Sequence, residues 1–146
     1  LDENAVLVIP LLKEIKTVIN AGLLEKYKSY KFTKKNIKSF LDSCKEVIAL
    51  NKKGIELDFE IGSIVYSFIL RIRALFMINE IMKNKSYSRS SFFDFLKRKG
   101  INDVSELYSI YSKERDGFKV KESKIIKKED LRKLLDLLEN MLKELK

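Results

Sequence analysis

Residues 107–117 read Leu-Tyr-Ser-Ile-Tyr-Ser-Lys-Glu-Arg-Asp-Gly, and they gather groups able to grip an anion. At helical spacing Leu107, Tyr108, Tyr111 and Arg115 fall on one stripe, so a guanidinium prolongs a face of rings. An arginine so placed clamps a phosphate or carboxylate with its fork, or pairs with an acid to hold two helices together. Asp116 is one such acid, and Gly117 suits a left-handed helix stop. Arg115, Asp116, Tyr111 and Tyr108 are therefore candidate substrate-binding residues. Tyr66 and Arg73 join them: they lie seven apart on one face of a long apolar segment, with Glu80 one heptad further on. That row is either a polar seam facing a ligand or partner, or a place where Arg73 pairs with Glu80 or with an acid on a neighbouring helix.

Metal chemistry finds less support. Asp58-Phe59-Glu60 has the D-x-E spacing that holds divalent cations against a triphosphate. It opens an apolar helix, however, where Asp58 reads as an N-cap and Glu60 as a first-turn acid facing the dipole. The chain has no histidine and a single cysteine, Cys44, which excludes a Cys/His zinc site and an intramolecular disulfide and removes the commonest base near neutral pH. No catalytic residue and no metal ligand is assigned.

A formal charge of +9 predicts attraction to phosphate polymers. The run KYKSYKFTKK interleaves Lys26, Lys28, Lys31, Lys34 and Lys35 with rings that could stack on bases. Its structural alternative is a loop whose Tyr27, Tyr30 and Phe32 fold inward while the lysines stay wet. Arg89, Lys97 and Arg98 form a second basic group. These eight cations are the candidate nucleic-acid contacts.

The elements that would position these groups are helical. Apolar residues at 45%, charged residues at 35%, five glycines and one proline suit a soluble all-α domain spanning residues 1–146. A first helix is expected over residues 4–21, with Leu12, Ile15, Val18 and Ile19 on its face and Gly22 as its stop. Pro10 either kinks it or marks its true first turn, leaving AVLVI extended. A second begins at the N-cap Thr33, carries Ile37, Phe40, Leu41, Cys44, Val47 and Ile48 inward, and closes at Gly54.

The third helix, over 59–83, is apolar nearly all round. Arg71 and Arg73 near its centre favour a bundle core over a membrane span, and Asn79 within its stripe would fix register. A fourth is capped by Ser88 or Ser90. A fifth pairs Asp103 with Glu106 in a capping box. A last carries a leucine seam from Leu131 to Leu145, after an extended link FKVKESKII. The expected architecture is an up-and-down antiparallel bundle of five or six helices.

In this order, DENAVLVIPLLKEI, GSIVYSFILRIRALFMINEIM, SYSRSSFFDFLKRKG and ELYSIYSKERDG resemble the helical C-terminal domain of archaeal nucleotidyltransferases, within the wider group of HEPN-like bundles. Nearly the whole chain is covered. The motifs are a Tyr and two Arg in the central helix, an aromatic segment after Tyr87-Ser88, and the Tyr-x-x-x-Arg-Asp-Gly helix end. Ribonuclease members of the group carry an arginine and a histidine with four to six residues between them. Arg115 matches that arginine, but Val120, Lys121 and Glu122 stand where the histidine belongs.

The resemblance thus implies a non-catalytic domain that binds substrate for a nucleotidyltransferase or dimerises through its central helices. The catalytic domain would lie upstream of Leu1 or on a partner, and Mg and a nucleoside triphosphate would belong to it. A stand-alone nucleic-acid-binding module, such as one half of a toxin–antitoxin pair, is the alternative. No cofactor is expected in this chain itself. A cytoplasmic location without membrane association is expected, since LDENAVLVIP has neither the basic start nor the small-residue cleavage site of a signal peptide.

Overall fold

The computed structural model describes residues 5–14 and 30–145, and these are helical apart from their connections. The helices are α1 Ala5–Glu14, α2 Lys34–Glu56, α3 Ile61–Met82, α4 Arg89–Arg98, α5 Val104–Arg115 and α6 Lys128–Glu144. α3 is the centre, packing against α1, α2, α5 and α6. Its all-round apolar surface demands such a position, and Phe68, Ile69, Ile72, Leu75 and Ile78 lose essentially all contact with solvent. By length and composition Ile61–Met82 could also cross a membrane; here half of its apolar stretch is turned into the bundle.

Directions follow from cross-helix contacts. Asn51 Nδ2 donates to Ser67 Oγ at 2.8 Å, and Phe59, just past the end of α2, folds back over Gly54, so α2 and α3 run antiparallel. Tyr66 meets Tyr111, and Gly62 meets Val120 beyond the end of α5, so α5 is antiparallel to α3 as well. On α6, Leu131, Leu134, Leu135, Leu138, Met141 and Leu142 are buried, and Lys52 reaches Glu139 across the seam at 2.6 Å. The result is an all-α bundle.

Helix starts obey local chemistry in part. Thr33 and Ser88 cap α2 and α4, each accepting from the backbone of the residue three on, whose own side chain returns the bond. Phe32, just before the Thr33 cap, is buried. Asp103 does occupy the N-cap of α5, but its side chain makes no cap bond, so the expected capping box with Glu106 does not form.

Four helices end alike, with a residue in the left-handed region and a 6→1 backbone bond. Asp58, Asn84, Gly100 and Gly117 hold φ of 54°, 55°, 82° and 89°. The closing bonds are Phe59 N to Gly54 O, Lys85 N to Glu80 O, Ile101 N to Leu96 O and Phe118 N to Lys113 O. Two expectations are corrected by this. Gly54 does not stop α2, which runs to Glu56; its missing Cβ lets the Phe59 ring approach, since a Cβ there would lie 3.2 Å from Phe59 Cδ2. Asp58 is not the N-cap of α3 but the left-handed terminator of α2, and its carboxylate pairs with Lys128 at 3.0 Å.

What caps α3 instead comes from far along the chain. Glu60 sits at the N-cap without a side-chain bond. The first-turn amides of Ile61 and Gly62 donate to the carbonyls of Lys121 and Val120, at 3.3 and 2.8 Å. Those carbonyls are held in place by Glu114, whose side chain is only 4% exposed and whose Oε1 accepts from Val120 N at 2.6 Å. The α5–α6 link is therefore an irregular strap, and its Ile126 is buried while Phe118 and Ile125 stay exposed.

Other expectations meet mixed outcomes. α1 contains Pro10 within the helix, so AVLVI is helical and not extended. Ile15, Val18, Ile19 and Gly22 lie outside the described residues. Cys44 is a core residue whose thiol burial pushes up to about 11, against the opposing pull of Arg71. Asn79 makes no side-chain bond among the described residues. A polar tie between α2 and α3 comes instead from Asn51 with Ser67, whose carbonyl and hydroxyl also accept from Arg71.

Candidate functional site

Antiparallel packing of α3 on α5 brings together rings that are far apart in sequence. Tyr66 stacks on Tyr111 with centroids 5.5 Å apart and planes 14° from parallel. Tyr111 meets Tyr108, one turn earlier on α5, at 5.3 Å. Tyr108 in turn meets Phe93 from α4 in an edge-to-face pair, with centroids 5.0 Å apart. Each such pair is worth about 0.5–1.5 kcal/mol beyond its buried area, so the row is stiff. Tyr111 is 2% exposed, while Tyr66, Tyr108 and Phe93 are half-buried and form a shallow ridge.

A guanidinium stands near each end. Arg89, the first residue of α4, places its Cζ 4.4 Å from the Tyr108 centroid and 5.2 Å from that of Phe93. Arg115 follows Tyr111 by one turn of α5. Its Nε donates to Asp116 Oδ1 at 2.9 Å and its second prong reaches Oδ2 at 3.3 Å. This pairing raises the arginine's pKa and lowers that of Asp116, and the phenols of Tyr111 and Tyr108 add to the rise on Arg115.

The expected partnership of Arg115 with Asp116 is present, but it is made between neighbours at a helix end and joins no two helices. Both side chains are half exposed. Arg115→Ala should therefore leave the melting temperature nearly unchanged at neutral pH. Because the Asp116 pKa is depressed, any contribution of the pair is present above the unfolded carboxylate's pKa and is lost as pH falls through the lower, folded value. Thermal melts of both proteins at neutral and strongly acid pH would check this, with any small difference vanishing in acid.

Family models, curated proteins and solved structures were compared with this chain, and none matches.

The other candidates lie away from the ridge. Arg73 is exposed two turns further along α3 than Tyr66, and lines a groove of about 450 Å³ with Leu7, Pro10, Leu11, Met77 and Tyr87. It forms no ion pair with Glu80 among the described residues. Because Arg73 is exposed, water can satisfy its guanidinium and no carboxylate or carbonyl partner is required. Lys31, Lys34 and Lys35 are exposed around the start of α2; Lys97 and Arg98 are exposed in the last turn of α4, where they complement the helix dipole. Lys26 and Lys28 lie outside the described residues.

Among the basic candidates, Arg89 is the one tied to the ridge. The sequence signal for Phe93 is its spacing of four from Arg89 on a short helix, which places the two side chains together. Among the described residues no group of three or more Cys, Asp or Glu side chains is placed to hold a metal ion. A separate cleft of about 400 Å³ lies between the α2–α3 turn and the strap, where Asp58 and Glu122 balance Lys121 and Lys128.

Proposed function

We propose that this chain is a non-catalytic, HEPN-like helical domain that binds substrate for a nucleotidyltransferase, whose catalytic domain is carried upstream or by a partner subunit. The observation supporting this reading is the convergence of Tyr66, Tyr108, Tyr111 and Arg115 from α3 and α5 onto one ridge, all within the segments that carry the resemblance. Stacked phenols bordered by guanidinium groups suit a base with an attached phosphate. Mg and the nucleoside triphosphate would be held by the catalytic partner. Dimerisation through the central helices is the other service such a bundle renders, and exposed Leu7, Leu11 and Leu70 offer an apolar face for it.

The test is to fractionate the protein from its native source in the cytoplasm and to assay each fraction for Mg-dependent transfer of labelled nucleotide. Transfer activity is expected to co-elute with the chain. Activity that elutes apart from it would overturn the association with a nucleotidyltransferase. The second reading, a stand-alone nucleic-acid-binding module such as one member of a toxin–antitoxin pair, is favoured by the stacking of Arg89 on the ridge. It requires RNA affinity that falls steeply with salt in the chain alone.

A further inference from the structure

The two arginines of the ridge are not equivalent. Arg115 spends its Nε and one Nη donor on Asp116, so its charge is already matched, and an anion that reaches its remaining donors must share the guanidinium with a carboxylate. Arg89 has its Cζ seated over the rings of Tyr108 and Phe93, and none of its N–H groups donates to a protein acceptor among the described residues. No carboxylate engages Arg89 among the described residues. Of the nearby acids, Asp94 is exposed on α4 itself, and Asp103 and Glu106 belong to the start of α5; none forms an ion pair with it.

The arginine thus lies against the rings with its N–H donors unspent. It also opens α4, whose first-turn amides carry partial positive charge, beside the exposed hydroxyls of Ser88 and Ser90, 2.9 Å apart. The half-buried rings of Phe93 and Tyr108 border the guanidinium and give a planar apolar group a surface to lie against.

We infer that Arg89 is the phosphate anchor of the tyrosine ridge and that its ligand is a nucleotide unit, a phosphate carrying an aromatic base, either free or within single-stranded RNA. The inference rests on the reading of the ridge as a binding surface and is independent of any nucleotidyltransferase. It reverses the ranking that sequence spacing suggests, in which Arg115 is the leading residue.

The experiment titrates the full chain with adenosine 5′-monophosphate, with adenosine and with a short oligoadenylate, and follows binding by calorimetry. Tyrosine fluorescence is a second readout, since the chain has no tryptophan. Arg89→Ala should weaken binding by about tenfold, as expected for loss of a charge-assisted hydrogen bond. It should also lower the salt slope of oligonucleotide binding by about one.

Arg89→Lys should recover only part of the affinity, because lysine keeps the charge without the planar fork. Arg115→Ala should cost less than Arg89→Ala, and Arg132→Ala, an equal loss of charge on α6, serves as the control. Melting curves establish that each variant is folded. Binding of the monophosphate and the oligonucleotide, both sensitive to Arg89, supports a free nucleotide as a source; sensitivity confined to the oligonucleotide supports a strand. Wild-type binding unaffected by Arg89→Ala overturns the assignment while leaving the ridge reading open to a Tyr108→Ala test. No binding of any probe by the wild type overturns both.

Discussion

Gly62→Ala should lower the unfolding free energy by roughly 2–4 kcal/mol, although alanine is the better helix former by about 1 kcal/mol. A Cβ at this position would overlap the Glu114 carboxylate and lie 2.7 Å from the Val120 carbonyl oxygen. The carboxylate can swing aside only by releasing Val120 N, and the carbonyl is backbone and cannot turn away without pulling the strap off α3. Overpacking and the loss of buried hydrogen bonds therefore outweigh helix propensity. Urea unfolding would measure the difference. The same substitution in a Glu114→Ala background should cost less than the two single changes added, since both act on one contact. Strict additivity would show that Gly62 matters for another reason.

Phe68→Ala should destabilise the bundle by about 3–5 kcal/mol, the range for removing a large core ring. Phe68 is fully buried near the middle of the central helix, where four other helices leave little freedom to close the cavity. At roughly 2–4 °C per kcal/mol for a chain of this size, the melting temperature should fall by about 6–20 °C. Leu70→Ala, on the same helix but with an exposed side chain, should change it little. Equal effects at the two positions would contradict the placement of α3 as the core helix.

Local patterns were the legible part of this chain. Thr33, Ser88, Gly117, the leucine seam of α6 and the burial of Cys44 each follow from chemistry within a few residues or from helical spacing. Misreadings arose where one residue answers to a distant neighbour. Gly54 looks like a stop because glycine often is one, but Phe59 needs its bare backbone. Asp58 looks like a cap because two helix ends share residues 57–60, and nothing local says which of them it serves. The cap of α3 was invisible because Val120 and Lys121 supply main-chain carbonyls, which carry no residue-type signal. At the candidate site, the stripe of Tyr108, Tyr111 and Arg115 was legible from spacing. The stack of Tyr66 on Tyr111 and the seat of Arg89 on Tyr108 depend on how α3, α4 and α5 are laid together, and no periodicity encodes that.

The strap that closes α3 has a bearing on the order of synthesis. α2 and α3 emerge from the ribosome well before residues 120–121, so the central helix is made with its first turn unfinished. The apolar flank that α5 and α6 will cover stays open for the same interval. A nascent chain paused after α4 would present that flank of the central helix to its surroundings, which makes the late segments of this protein the guardians of its early ones.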